Sequence, residues 1–518
     1  MRMLHIHRRR RWLLIGVSIA GIFATAVVVA SNRLSERARL KAIELVEQRF
    51  AREVELEALT LQVLPWALAS GRGLIVHQKP GLDLPPFIAI DSFKVDIDLL
   101  TLWLVRPVKI ERLEIEGLEI HVPPDDEPDD ENDGEDDGVE GGEPTPQFVI
   151  NELRAPDTRL YVHGDNPERP LLWDIRALAL TSAGTTEPMV FDATLHNAKP
   201  PGLIRSTGSF GPWQEDDLGA TPVSGDYTFE DADLSVFDGI LGTLSSKGRY
   251  DGVLDRLAVS GTTDTLDFAL DLSGNPIRLR TEFEAVVDGT NGDTRLDSVR
   301  ARLGGTGLVA RGGVVHEGEI DGKTIRLDVV VADGQLEDLL TLAMKSDDPF
   351  MTGGISFEAQ MLIPQGDRDV IDKLRLDGRF RIATARFADA ALQEKIESLS
   401  SRSRGEPENP DPARVASNFA GDFSLDSATL RLSSLTFQVP GAEVEFEGTY
   451  GLRDEHIDLR GRIHMDATLS QTTTGFKSFL LKLVEPFFSG DRGHGSSVPI
   501  KIAGTREEPD FGLDLGGN

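Results

Sequence analysis

From Phe148 to the C-terminus, apolar and charged residues trade places with a period of two, and this pattern narrows the possible folds more than any other feature. Leu279, Thr281, Phe283, Ala285 and Val287 interleave with Arg278, Arg280, Glu282 and Glu284. Leu374, Leu376, Phe380 and Ile382 alternate with Arg375, Asp377, Arg379 and Arg381, and Ile457, Leu459, Ile463 and Met465 with Asp458, Arg460, Arg462 and His464. A strand points successive side chains to opposite faces, so each segment carries one wet face and one apolar face. Polar or Gly turns separate the segments, which predicts antiparallel sheet and not βαβ units. The 51 Gly and 28 Pro supply turns, and aromatics are only 6%. Two short stretches, ADLSVFDGIL (Ala232–Leu241) and ADGQLEDLL (Ala332–Leu340), read as the same brief helix repeated about a hundred residues on. Periodicity leaves two architectures open: closed sandwiches that hide their apolar faces, and an open curved sheet.

The N-terminus sets the topology. Trp12–Ala30 reads WLLIGVSIAGIFATAVVVA, about 19 apolar or small residues, enough to cross a bilayer. Trp12, Leu13, Leu14, Ile15, Ile19, Ile22, Phe23 and Val27 form its bulk, and Arg8, Arg9, Arg10 and Arg11 precede it. Positive flanks stay inside, so residues 1–11 are expected in the cytoplasm and the large C-terminal part outside it. A cleaved signal peptide is the rival, because Val28 and Ala30 offer small residues to a peptidase, but the apolar run is long for one.

After the anchor, Leu34–Phe50 has helical spacing, with Ile43, Val46 and Phe50 on one stripe. Strands are expected over Glu53–Val63, with a slip in phase after Ala58, over Phe87–Leu99 and over Ile110–Val122, with LLTLWL (Leu99–Leu104) as a short helix. Pro123–Gln147 then carries twelve acidic residues, no basic ones and almost nothing to bury, so it is expected to be a disordered loop that a short linker can replace. Without it the net charge is still −20, against −32 for the whole chain. Such an acidic protein is no general nucleic-acid binder.

No catalytic constellation stands out. Cys is absent, which removes disulfides, thiolate metal sites and Cys nucleophiles. There is no GxSxG elbow and no His-Glu-x-x-His. His5 and His7 sit beside four arginines on the tail; Gly322-Lys323-Thr324 lacks the upstream Gly of a phosphate loop; Gly305, Gly307 and Ala310 precede a strand where a dinucleotide site needs a helix. Neither an enzymatic activity nor a cofactor or metal is expected. Two apolar helices remain. One spans Phe387–Ser400, with Leu392, Ile396 and Leu399 on a stripe. The other, TGFKSFLLKLVEPFFS (Thr474–Ser489), carries Phe476, Phe479, Leu480, Leu483, Phe487 and Phe488 and reads either as a plug for the end of a sheet core or as a tip that touches a membrane or partner.

Three regions resemble the AsmA-like family of bacterial envelope proteins. The strands and LLTLWL after the anchor, ending in VKIERLEIEGLEIHV, are similar to the family's chorein-like start. FADAALQEKIESLSSRSRG (Phe387–Gly405) leading into FAGDFSLDSATLRLSSLTFQVPGAEVEFEGTYGL (Phe419–Leu452) is the second, and HMDATLS, the apolar helix and VPIKIAGTREEPDFGLDL (Val498–Leu515) the third. The resemblance implies a mainly β fold: an inner-membrane anchor at 12–30, a chorein-like β region at 31–122, the acidic loop at 123–147, a central repetitive β-groove at 148–385 and an AsmA-like C-terminal region at 386–518. It implies a long, curved, mostly antiparallel sheet in the periplasm whose apolar groove carries phospholipid acyl chains between inner and outer membranes. Phe283, Ala285, Val287, Leu327, Val329, Leu376, Phe380, Ile382, Leu459 and Ile463 would line that groove, while Arg280, Asp328, Arg375 and Arg460 face water. Some 20 to 25 strands at about 4.8 Å spacing give roughly 100 Å of sheet, so an outer-membrane or envelope partner is expected as well. The family also includes modulators of outer-membrane protein assembly, and a non-catalytic scaffold is the alternative function.

Overall fold

In a computed structural model, the described residues run from 35 to 513, apart from 98–107, 124–147, 401–416, 466–495 and shorter breaks. The expected anchor, the LLTLWL helix, all but the first residue of the acidic loop and the apolar helix at 474–489 therefore lie outside them. No helix among the described residues is long and apolar enough to cross a membrane. Among the described residues the chain is mainly β, with 25 strands, few helices, and strand pairings that are antiparallel except where Val108–Val122 meets Phe148–Arg154 and Thr158–Val162. It divides into two compact units, Met1–Asp233 with Ser245–Gly261 and Val286–Gly292, and Leu234–Leu244 with Thr262–Ala285 and Asp293–Asn518.

The first unit opens with helix α1 (Ser35–Phe50), which lays Ala42 and Val46 onto the sheet. Strands β1 (Val54–Gln62), β2 (Ala67–Val76), β3 (Ile88–Ile97) and β4 (Val108–Val122) form an antiparallel meander. The phase slip in β1 is real: Val54, Leu56 and Leu59 are all buried. Opposite the slip, Gly73 adopts a left-handed φ of 61° beside Glu57. The device recurs in the next hairpin, where Gly117 has a φ of 64° and lies against Asp91. A Cβ at Gly117 would come within 2.8 Å of the Asp91 Cβ. Gly117→Ala is therefore expected to cost about 1–2 kcal/mol from backbone strain alone, read as a lower midpoint in urea unfolding.

The single parallel step follows β4. Strands β5 (Phe148–Arg154) and β6 (Thr158–Val162) both run parallel to it, Val108 pairing with Phe148 at one end and Val122 with Val162 at the other. Strand β7 (Leu171–Gly184) pairs antiparallel with both, so β5 and β6 act as one strand broken at Ala155–Asp157. The sheet is mostly antiparallel, as expected, with this exception: the chain leaves β4 at Val122 and re-enters beside Val108. The two ends to be connected, Val122 and Phe148, therefore lie a full β4 length apart, about 46 Å at about 3.3 Å per residue. Any linker that replaces residues 124–147 must therefore reach that distance, which takes about fourteen extended residues. Strands β8 (Met189–Ala198), β9 (Pro201–Phe210) and β10 (Pro222–Asp233) continue the meander.

In the second unit β15 (Thr294–Leu303), β16 (Thr306–Val315), β17 (Thr324–Gln335), β18 (Met351–Ile363) and β19 (Arg375–Phe387) pair in succession. The meander ends with β20 (Ser417–Asp426), β21 (Thr429–Val439), β22 (Ala442–Gly451), β23 (His456–Met465), β24 (Ser496–Thr505) and β25 (Pro509–Leu513). Only one member of the expected helix repeat is an α-helix, α2 (Leu336–Ala343). Its counterpart stops as a 3-10 turn at Leu234–Val236, because Gly239, with a φ of 99°, turns the chain straight into the next strand.

Candidate functional site

The candidate site is a sheet face, so register decides which side chains share it. In the second unit Leu327, Met361, Leu376, Leu425, Leu430 and Tyr450 are successive cross-strand partners from β17 to β22. A second row holds Ala310, Val329, Ala359, Gly378 and Phe423, and farther along the same row Leu459 pairs with Ile502. Phe380 pairs with Phe357, and Ile382 lies in a fourth row with Ile355, Phe419, Phe437, Val444 and Ile463. Seven of the residues expected in the groove are thus brought to one face. Phe283 and Ala285 sit on β14 (Ile277–Val287) in the same unit, whereas Val287 belongs to the first unit.

Burial differs between rows. Leu327, Val329, Leu376, Phe380, Leu459 and Ile463 are only partly buried, while Ile382 is 5% exposed. Helix α2 accounts for the difference, because Leu336 packs on Met351, Ile355, Ile382 and Ala385. Ile396 likewise covers Phe437, Val439 and Val444. The helices cap the fourth row; the first two are mixed, with Leu425, Ala310 and Ala359 buried and Leu327, Val329, Leu376 and Leu459 partly exposed. On the opposite face Arg280, Asp328, Arg375 and Arg460 are exposed, as the alternation predicts. Charges there pair across strands: Arg379 donates to Glu358 at 2.6 Å, and Arg300 meets Glu282 at 3.0 Å. Arg278 bonds Asp264 and holds its carboxyl below the usual carboxylate range.

The first unit treats its inner face in two ways. Over β1 to β5 it is a closed core: Ile88, Val95, Ile110 and Ile150 are fully buried, and Phe93, Leu113 and Ile115 nearly so. A trough open to ligand does not run through these strands. Farther on, Phe210 still packs on that core, but the residues that follow it on the same face are Gly208 and Ser206. They pair with Gly225 and Tyr227 on β10. Ser206 bonds Tyr250 at 2.8 Å, and Tyr227 bonds Ser246 at 3.1 Å, with Ser246 and Tyr250 lying on β12 (Thr243–Val253). A Cβ at Gly225 would meet the Tyr250 hydroxyl at 2.7 Å, and one at Gly248 would meet the Tyr227 ring at 2.9 Å. Each tyrosine therefore lies over a glycine, which replaces the missing side-chain contact. Burial pushes the Tyr250 phenol up, with Ser206 opposing. This belt of hydroxyls was not anticipated, although Gly and Tyr at alternate positions in SGDY, and Ser, Gly and Tyr in SSKGRY, were its visible trace.

Among the described residues no group of three or more His, Cys, Asp or Glu is placed to hold a metal ion. Comparison of the chain with models of known protein families, with curated proteins and with solved structures finds no match.

Proposed function

We propose that the chain is an inner-membrane-anchored envelope protein, with its bulk in the periplasm, that carries phospholipid acyl chains along the apolar face of its second unit. The observation that carries this reading is the pair of partly exposed aliphatic rows through Leu327 and Val329, backed by a charged outer face. An aliphatic row replaces hydrocarbon contacts at about 0.8 kcal/mol per CH₂, so a chain lying on it does not enter water. No catalytic residue is required. The resemblance to the AsmA-like family and the basic, apolar N-terminus support the same placement in the cell. Closed packing over β1 to β5 and the hydroxyl belt confine the lipid path, on this reading, to the second unit. The closed core favours one alternative, a non-catalytic scaffold for outer-membrane protein assembly, because a closed core presents edges and surfaces instead of a trough.

Photocrosslinking amino acids at Leu376 and Arg375, neighbours on opposite faces of β19, test the proposal in living cells. Phospholipid adducts are expected at Leu376 and not at Arg375. Equal labelling at both, or none at either, overturns the lipid reading.

A further inference from the structure

We propose that His121 and His163 form an acid-sensitive latch that holds β6 on β4. The two rings meet at 3.1 Å, Nδ1 of His121 to Nε2 of His163, and are 8% and 5% exposed. Tyr161 stacks on His121 with ring centres 4.4 Å apart and planes within 2°. Main-chain bonds fix both residues: His163 N–H donates to the Val122 carbonyl and His121 N–H to the Phe87 carbonyl, each at 2.9 Å. The Gln78 amide donates to the His121 carbonyl at 3.0 Å and accepts from Arg52 at 3.0 Å. The pair thus fastens the end of β6 to the end of β4, beside the paired residues Val122 and Val162.

A ring-to-ring bond needs one N–H and one lone pair. The first proton must enter a desolvated site, and the second removes the only acceptor, leaving two N–H groups facing each other. The charged and titratable neighbours do not cancel this. On β4, Glu119 favours a charged His121 but is engaged by Arg159 of β6 at 2.8 Å, and Asp174 of β7 faces Arg159 across the strand pair. Arg52 lies behind Gln78, while His77, at the end of β2, pairs with Glu55 of β1 at 3.1 Å. Burial, with His163 second, holds His121 below the ordinary imidazole value of 6.5. The folded state therefore binds fewer protons than the opened one. The latch is intact above about pH 6.5 and weakens as pH falls below that value.

Hydrogen exchange of the full chain in detergent micelles, followed over residues 116–123 and 156–163 and corrected for intrinsic rates, tests the latch. Between pH 7.5 and 5.5 the opening constant of the wild type is expected to rise several-fold, with about tenfold the ceiling for one extra proton bound by a group that opens to an ordinary imidazole value. His163→Gln can still hydrogen-bond but cannot titrate, and should flatten the rise; His121→Phe should do the same. An unchanged rise in both variants would assign the effect to His77 and Glu55 and overturn the proposal, as would no rise in the wild type. Should a variant not fold, ring ¹⁵N shifts of the wild type decide: a His121 imidazole neutral at pH 7, with a midpoint below 6.5, supports the latch, and an ordinary midpoint refutes it.

Discussion

Cutting the connection between β4 and β5 to six residues is expected to detach β5 and β6 from β4 and to unfold the first unit. Six residues reach about 20 Å at full extension, and the parallel register demands about 46 Å. Detachment exposes Ile150 and Leu153, now 0% and 3% exposed, and uncovers Ile110 and Leu113 on the partner strand. Each side chain returned to water costs about 2 kcal/mol, so the sum is a large part of the stability of any domain. Replacing residues 124–147 with Gly and Ser at equal length is expected to behave in the opposite way, with Tm within a few degrees of wild type. Thermal unfolding of both variants, followed by circular dichroism, separates length from composition. A six-residue variant as stable as wild type would show that β5 does not run parallel to β4.

The sheet was legible because its signal is local. Alternation such as RLRTEFEAVV or RLDGRFRI sets strand, face and phase without reference to any distant residue, and the slip after Ala58 could be read the same way. The parallel step was not legible, because the residues of β4 and β5 look the same whichever way they pair. Only the length of the connection between them carries that information. The hydroxyl belt was missed for a different reason: Ser206, Tyr227, Ser246 and Tyr250 lie on three strands, and each is unremarkable in its own segment. Register alone brings them together. The same holds for His121 and His163, 42 positions apart and joined by the parallel step. Alternation likewise marked an apolar face but could not say how far it is covered, since that depends on where α2 and Ile396 come to rest.

A charge introduced at three inward positions should therefore have two opposite outcomes from one side-chain chemistry. Ile115→Asp places a carboxylate in the closed core, at a residue 1% exposed, and is expected to unfold the first unit, because an unpaired buried charge costs several kcal/mol. Ile382→Asp, under α2 in the second unit, should be nearly as damaging, since the residue is 5% exposed and sealed by Leu336. Leu376→Asp lies three rows away from Ile382 and is only partly buried, so its carboxylate can stay hydrated. That variant is expected to keep its Tm within a few degrees while losing the lipid adducts read at neighbouring crosslinking positions. The comparison of Ile382 with Leu376 is the sharper one, because both face inward from the same strand and differ only in what covers them. If Leu376→Asp melts as early as Ile382→Asp, the first row is sealed and has no room for an acyl chain. If it folds and still carries lipid, the path runs elsewhere on the sheet.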